Sequence, residues 1–139
     1  MNLPELPSAG VSQKLGFLLD RFCSENPDIS HALAVSGDGI PLAASGGVDP
    51  AIRDQLGAST SGLIGLAVGM SAFMQAGDVH DIVVNFDSGW VIVQRPSRRL
   101  VLTALAGTDA EMGRVHHELV RLGEAAGRVL EPGAARTAA

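Results

Sequence analysis

The residues from Val79 to Leu105 restrict the fold most tightly, because three short apolar runs alternate there with turn formers: VHDIVVNF, DSG, WVIVQ, RPSRR and LVLTAL. Runs rich in β-branched and aromatic residues, bounded in this way, predict a three-stranded antiparallel meander. In the first run Ile82, Val84 and Phe86 share one face and Asp81, Val83 and Asn85 the other, as a period of two requires. Trp90 to Val93 carries no polar residue, which suits an inner strand buried on both faces. Asp87, Ser88 and Gly89 supply a hairpin turn, and Pro96, with no N–H to donate, belongs beyond the end of the second strand.

Upstream, Val11, Leu15, Leu18, Leu19, Phe22 and Cys23 recur at helical spacing as far as Asn26-Pro27, predicting an amphipathic helix. Residues 1–10 contain two prolines and no periodicity and read as a flexible arm. ISHALAVS (29–36) and IPLAAS (40–45) read as strands joined at Gly37-Asp38-Gly39, with Pro41 placing the second at a sheet edge.

Asp49-Pro50 then marks a helix start, an N-cap followed by proline at the first helical position. The helix should run to about Gln75 and end at Gly77, and no charge occurs between Asp54 and Asp78. Its length is near the roughly 20 residues that cross a bilayer. Gln55, Ser59, Thr60, Ser61, Ser71 and Gln75 are nevertheless too many polar groups for a solitary span. A helix covered by protein on nearly all sides fits better. Gly62, Gly65 and Gly69 each cost about 1 kcal/mol of helix propensity, which close approach to another backbone would offset; in so small a chain, that backbone is expected to be the same helix of a second copy.

After the meander, Thr108 and Glu111 have capping-box spacing, and Met112, Val115, Leu119, Leu122, Ala126 and Val129 continue as a last amphipathic helix ending near Glu131-Pro132. Residues 131–139 read as a disordered tail. The order α-β-β-α-β-β-β-α predicts an α+β domain over residues 11–130. It has a single five-stranded antiparallel sheet, with the long helix on one face and two helices on the other.

The chemistry-bearing residues exclude more than they nominate. A chain of 139 residues with a net charge of −5 gives no electrostatic basis for nucleic-acid binding. One cysteine, Cys23 on an apolar stripe, allows no internal disulfide and no thiolate metal cluster, and is read as packing in a reducing cytoplasm. The N-terminus lacks the basic-then-apolar pattern of a secretory signal. Gly37-Asp38-Gly39 has neither the spacing nor the Lys-Ser/Thr of a phosphate loop. His31 has no second ligand nearby in sequence, the adjacent His116 and His117 diverge on a helix, and Asp78, His80 and Asp81 read as a wet loop entering a strand. No nucleophile–base pair or paired carboxylates emerge, so neither catalysis nor a cofactor or metal is expected.

Several features in fixed order carry a resemblance: Asp38-Gly39-Ile40-Pro41-Leu42-Ala43 in the first hairpin, the small-residue helix from Pro50 to Gln75, and the strand-turn-strand Ile82 to Val93. Leu100-Val101-Leu102-Thr103-Ala104-Leu105 follows, leading to a last helix containing Met112-Gly113-Arg114-Val115. Over about residues 11–130 the chain resembles the Roadblock/dynein light chain family, in particular its small bacterial, actinobacterial-type members that accompany Ras-like GTPases.

The resemblance implies a homodimer formed through the long helix and the strand after it. Ser61, Gly62, Gly65, Gly69, Ala72 and Phe73 would approach the partner's helix, and Asp81, Val83 and Asn85 would lie on the joining strand. It also implies a non-enzymatic, cytoplasmic regulator or scaffold of a small GTPase, recruited to a membrane only through a partner. The alternatives are a passive adaptor in a sensor-kinase-like assembly and, third, a small-molecule sensor. Arg95, Arg98 and Arg99 around Pro96 are candidate contacts for acidic partner residues or phosphate; solvated turn charges are the plainer reading.

Overall fold

The computed structural model describes residues 9–130. The elements follow the expected order: α1 (Ala9–Glu25), β1 (Ile29–Ser36), β2 (Pro41–Ala44), α2 (Pro50–Met74), β3 (Asp81–Phe86), β4 (Gly89–Gln94), β5 (Leu100–Ala106) and α3 (Met112–Leu130). The strands form one antiparallel sheet in the order β2-β1-β5-β4-β3. β4 is an inner strand and Pro41 lies on an edge, as their composition requires. The expected tail, and all of the expected arm except Ala9 and Gly10, lie outside the described residues; those two belong to α1.

The sheet separates two apolar layers. On one face Leu15, Leu19 and Phe22 of α1 and Val115, Leu119 and Leu122 of α3 pack on Ala32, Ala34, Ile92, Leu102 and Ala104. Alanines on this face leave room for two helices side by side. On the other face Leu33, Val35, Val93 and Val101 meet Ile64, with Leu56 and Leu63 at the margin. This is the α2 side, and Thr60 Oγ1 lies 2.8 Å from Thr103 Oγ1 in the same layer, both residues buried.

The helix ends show how local chemistry sets the boundaries. Asp49 caps α2 as expected, its carboxylate accepting the Ala51 N–H at 2.8 Å with Pro50 following. The far end stops two residues short of Gly77. Gln75 takes the left-handed conformation (φ 53°, ψ 44°), and the Ser71 carbonyl accepts the Ala76 N–H at 3.0 Å. At α3 the cap is Glu111 and not Thr108. Its carboxylate accepts the N–H groups of Gly113 (3.1 Å) and Arg114 (2.8 Å), while Ala110 N–H turns back to the Gly107 carbonyl. That turn uses up Thr108, so the helix begins later.

Arg114 ties three segments together by donating to Asn26 Oδ1 and Asp28 Oδ2, while Asn26 Nδ2 donates to the Phe22 carbonyl at 2.8 Å. The end of α1, the start of β1 and the start of α3 are thereby joined. The Arg114 hydrogen bond holds the Asp28 carboxyl below its ordinary range. At Gly89 (φ +155°) a Cβ would stand 2.3 Å from the Ala106 carbonyl oxygen, so the β3–β4 hairpin closes against β5 only with glycine there.

Candidate interaction surface

The sequence predicts a long helix covered by protein, yet its own chain covers little of it. Within α2 only Gly57, Thr60 and Ile64 are buried. Gly57 is explained inside the chain, since a Cβ there would lie 3.0 Å from the Gly39 carbonyl oxygen and from Pro41 Cγ. Gly62, Gly65 and Gly69 are not, because a Cβ at each would meet no atom within 4 Å. Beside them Leu66, Met70, Phe73 and Met74 are exposed, Phe73 to 91%. By length and composition this helix alone among the described residues could cross a membrane. Its inner face nevertheless packs on the sheet through Thr60 and Ile64.

β3 is the edge of the sheet opposite β2. Arg95 N–H donates to the His80 carbonyl at 2.9 Å, and Asp81 lies opposite Gln94. Because bonded and non-bonded pairs alternate in an antiparallel ladder, Ile82, Val84 and Phe86 take the bonds to β4. Asp81, Val83 and Asn85 therefore turn their backbone N–H and C=O groups outward. Ile82 packs in the α2 layer, and Asp81, on the opposite face, lies 3.1 Å through Oδ1 from His116 Nε2 of α3.

Of the nine residues that the resemblance assigns to a partner, Gly62, Gly65, Gly69, Ala72 and Phe73 are exposed on α2, and Asp81, Val83 and Asn85 are exposed on the open edge. Ser61 is half-buried and packs against the β1–β2 turn, where a Cβ on Gly39 would stand 2.7 Å from its own. Sequence reasoning missed the Asp81–His116 contact, since its partners are 35 residues apart and neither sits in a motif.

The three arginines occupy the β4–β5 turn at one end of the sheet. Arg98 Nη2 stands 3.9 Å from Asp78 Oδ1, with both side chains largely exposed. Arg95 and Arg99 line a cleft of about 340 Å³ that the turn forms with the C-terminal half of α3. Sequence reasoning missed this cleft, whose one signal was Gly123, a glycine inside a helix. A Cβ at Gly123 would lie 2.7 Å from Pro96 Cγ, so α3 and the turn touch through it. Burial raises the Cys23 thiol above its ordinary range, which disfavours the reactive thiolate. Among the described residues no three His, Cys, Asp or Glu side chains gather to hold a metal ion.

A five-stranded antiparallel sheet with one helix on one face and two on the other, in this order, is a three-layer α/β/α domain. The chain belongs to the Roadblock/LC7 family, whose domain pattern matches residues 16–106. A Roadblock/LC7 domain from Streptomyces avermitilis is 28% identical and superposes with a TM-score of 0.78, over 83% of this chain and 96% of its own. MglB from Myxococcus xanthus is 12% identical with a TM-score of 0.82, covering 93% and 96%. The gliding protein MglB from Thermus thermophilus is 16% identical with a TM-score of 0.81, covering 96% and 100%. No curated protein matches the chain.

Proposed function

We propose that this chain is a non-enzymatic, homodimeric regulator or scaffold of a small Ras-like GTPase. Family membership supports this class of function. The observation that carries the dimer is the unfinished α2 side, where exposed Leu66, Met70 and Phe73 flank glycines that nothing among the described residues approaches, together with an edge strand with free backbone groups. An open edge and an apolar patch together are liabilities in a monomer and assets in an interface. In the dimer, Gly62, Gly65, Gly69, Ala72 and Phe73 face the partner's helix, with Ser61 at the margin. Asp81, Val83 and Asn85 pair along the joining strand. Arg95, Arg98 and Arg99, in the turn beside the start of that edge strand, serve as contacts for the GTPase or another partner.

Affinity capture from native cytoplasm, run in parallel with GDP and with a non-hydrolysable GTP analogue, tests the function. Retention of a Ras-like GTPase in one nucleotide state, followed by altered hydrolysis, supports a regulator. Retention in both states with unchanged hydrolysis reduces the role to a passive adaptor, and a sensor-kinase-like protein in the same capture places that adaptor at a membrane complex. Absence of any GTPase from both captures would sink the GTPase reading.

A further inference from the structure

We propose that the cleft between the β3–β4 hairpin and the loop joining β5 to α3 docks a basic segment of a protein partner, with an arginine or lysine side chain seated on the aromatic residues of the cleft. None of the residues assigned to the dimer lines this cleft, and its occupancy needs no GTPase.

Charge and side-chain type select the occupant. The cleft has a volume of about 670 Å³, within the range of binding clefts, and is open to solvent. Trp90, the one tryptophan of a chain with no tyrosine, lines it together with Phe86, which is 54% exposed. Asp109 lines it from the β5–α3 loop, and Asp87 lies in the hairpin turn between the lining residues Phe86 and Ser88. Both carboxylates are exposed, and among the described residues neither has a hydrogen-bond or ion-pair partner. Asp28 also lines the cleft, but Arg114 already pairs with it, so it adds no free charge. No Lys, Arg or His is among the described lining residues. The cleft therefore presents uncompensated negative charge beside aromatic surface, and a cation carried on an apolar stem matches both. A segment lying across the opening also meets the side-chain hydroxyls of Ser88 and Thr108, which are free among the described residues to bond its backbone.

The walls are set before anything binds. Gly89 leaves no room for a side chain against the Ala106 carbonyl oxygen, so the hairpin is closed on the end of β5. Gly107 N–H donates to the Asp28 carbonyl at 2.9 Å and Ala110 N–H to the Gly107 carbonyl at 3.1 Å, which ties the β5–α3 loop to the residues entering β1. Ser30 Oγ donates to the Leu105 carbonyl at 3.3 Å across the same end of the sheet. A preformed cleft lowers the entropic cost of docking.

As the sole tryptophan, Trp90 makes the test local, since its fluorescence reports on the surroundings of this cleft. The full chain is titrated with a tryptophan-free peptide of about ten residues alternating Lys and Leu, beside its Gln/Leu counterpart. Expected are a saturable change in Trp90 fluorescence with the basic peptide only, weakening with salt, and a roughly fivefold or greater loss of affinity in the double variant Asp87→Asn, Asp109→Asn. Both substitutions keep the side-chain shape at exposed sites, so the fold is retained. Because the whole chain is acidic, the double variant Asp38→Asn, Asp54→Asn is the control: it removes the same charge at exposed positions outside the cleft and should change affinity by no more than about twofold. An unchanged Trp90 signal with the basic peptide, an equal signal with the Gln/Leu peptide, or unchanged affinity in Asp87→Asn, Asp109→Asn overturns the proposal. Equal losses in the two double variants overturn it in favour of general attraction to an acidic protein. Saturation by lysine amide with no peptide binding overturns it in favour of a small-cation site. No GTPase enters this assay, so its failure and a failed GTPase capture are separate results.

Discussion

Thr60 and Thr103 satisfy each other in an apolar layer, and each depends on the other for it. Thr103→Val should cost about 1–3 kcal/mol by leaving the Thr60 hydroxyl buried and unpaired, while the double change to valine costs much less. Urea denaturation of the two single variants and the double variant measures this as a cycle. At Gln75 the left-handed backbone suits glycine better, so Gln75→Gly should stabilise α2 by about 1 kcal/mol and Gln75→Ala should not. The Asp28 carboxyl is held low by Arg114, and the sign of its pH effect follows. Its contribution to stability is complete above the ordinary carboxylate range near 3.8 and is lost as pH falls through the lower folded value. Asp28→Asn should therefore lower the Tm at neutral pH and flatten the acid side of the Tm–pH profile. A profile as steep as the parent's would assign acid unfolding to another carboxylate.

At the scale of elements, helix glycines divide into those with a neighbour and those without. Gly123→Ala forces a Cβ toward Pro96 and should destabilise, whereas Gly69→Ala meets nothing among the described residues and gains about 1 kcal/mol of helix propensity. If a second helix lies against that face, the gain at Gly69 is offset and the Tm falls most at protein concentrations where the dimer prevails. Scanning calorimetry at two concentrations separates the cases. The sequence was legible wherever neighbours in the chain set the structure. The alternation of Ile82 and Val84 with their exposed neighbours, the Asp49-Pro50 start and the edge position of Pro41 stand as expected, whereas Phe86, at the end of β3, is exposed. The α3 start was misread because Thr108 and Glu111 have the right spacing for a capping box, and only the turn back to Gly107 shows that Thr108 is already used. The Asp28–Arg114 and Asp81–His116 contacts and the Gly123–Pro96 approach were illegible, since tertiary packing alone brings those residues together.

For the molecule as a whole, the two faces of the sheet differ in completeness. The α1–α3 layer is closed by the chain itself, and the α2 layer leaves Leu66, Met70 and Phe73 in solvent. Phe73→Asp, or Leu66→Asp if that single change is too mild, should convert a dimer to a folded monomer by light scattering, because neither side chain supports the monomer's core. A parent chain that is already monomeric at micromolar concentration would contradict the dimer. The sparse attachment of α2 also has a meaning in time. Few buried residues hold it to the sheet, so its amides beyond Gly65 should exchange with solvent far sooner than those of β1 and β5 when the chain is alone. A partner seated on that face would then register first as a lengthened lifetime of the closed helix, readable by hydrogen exchange even with no atom moved from its place.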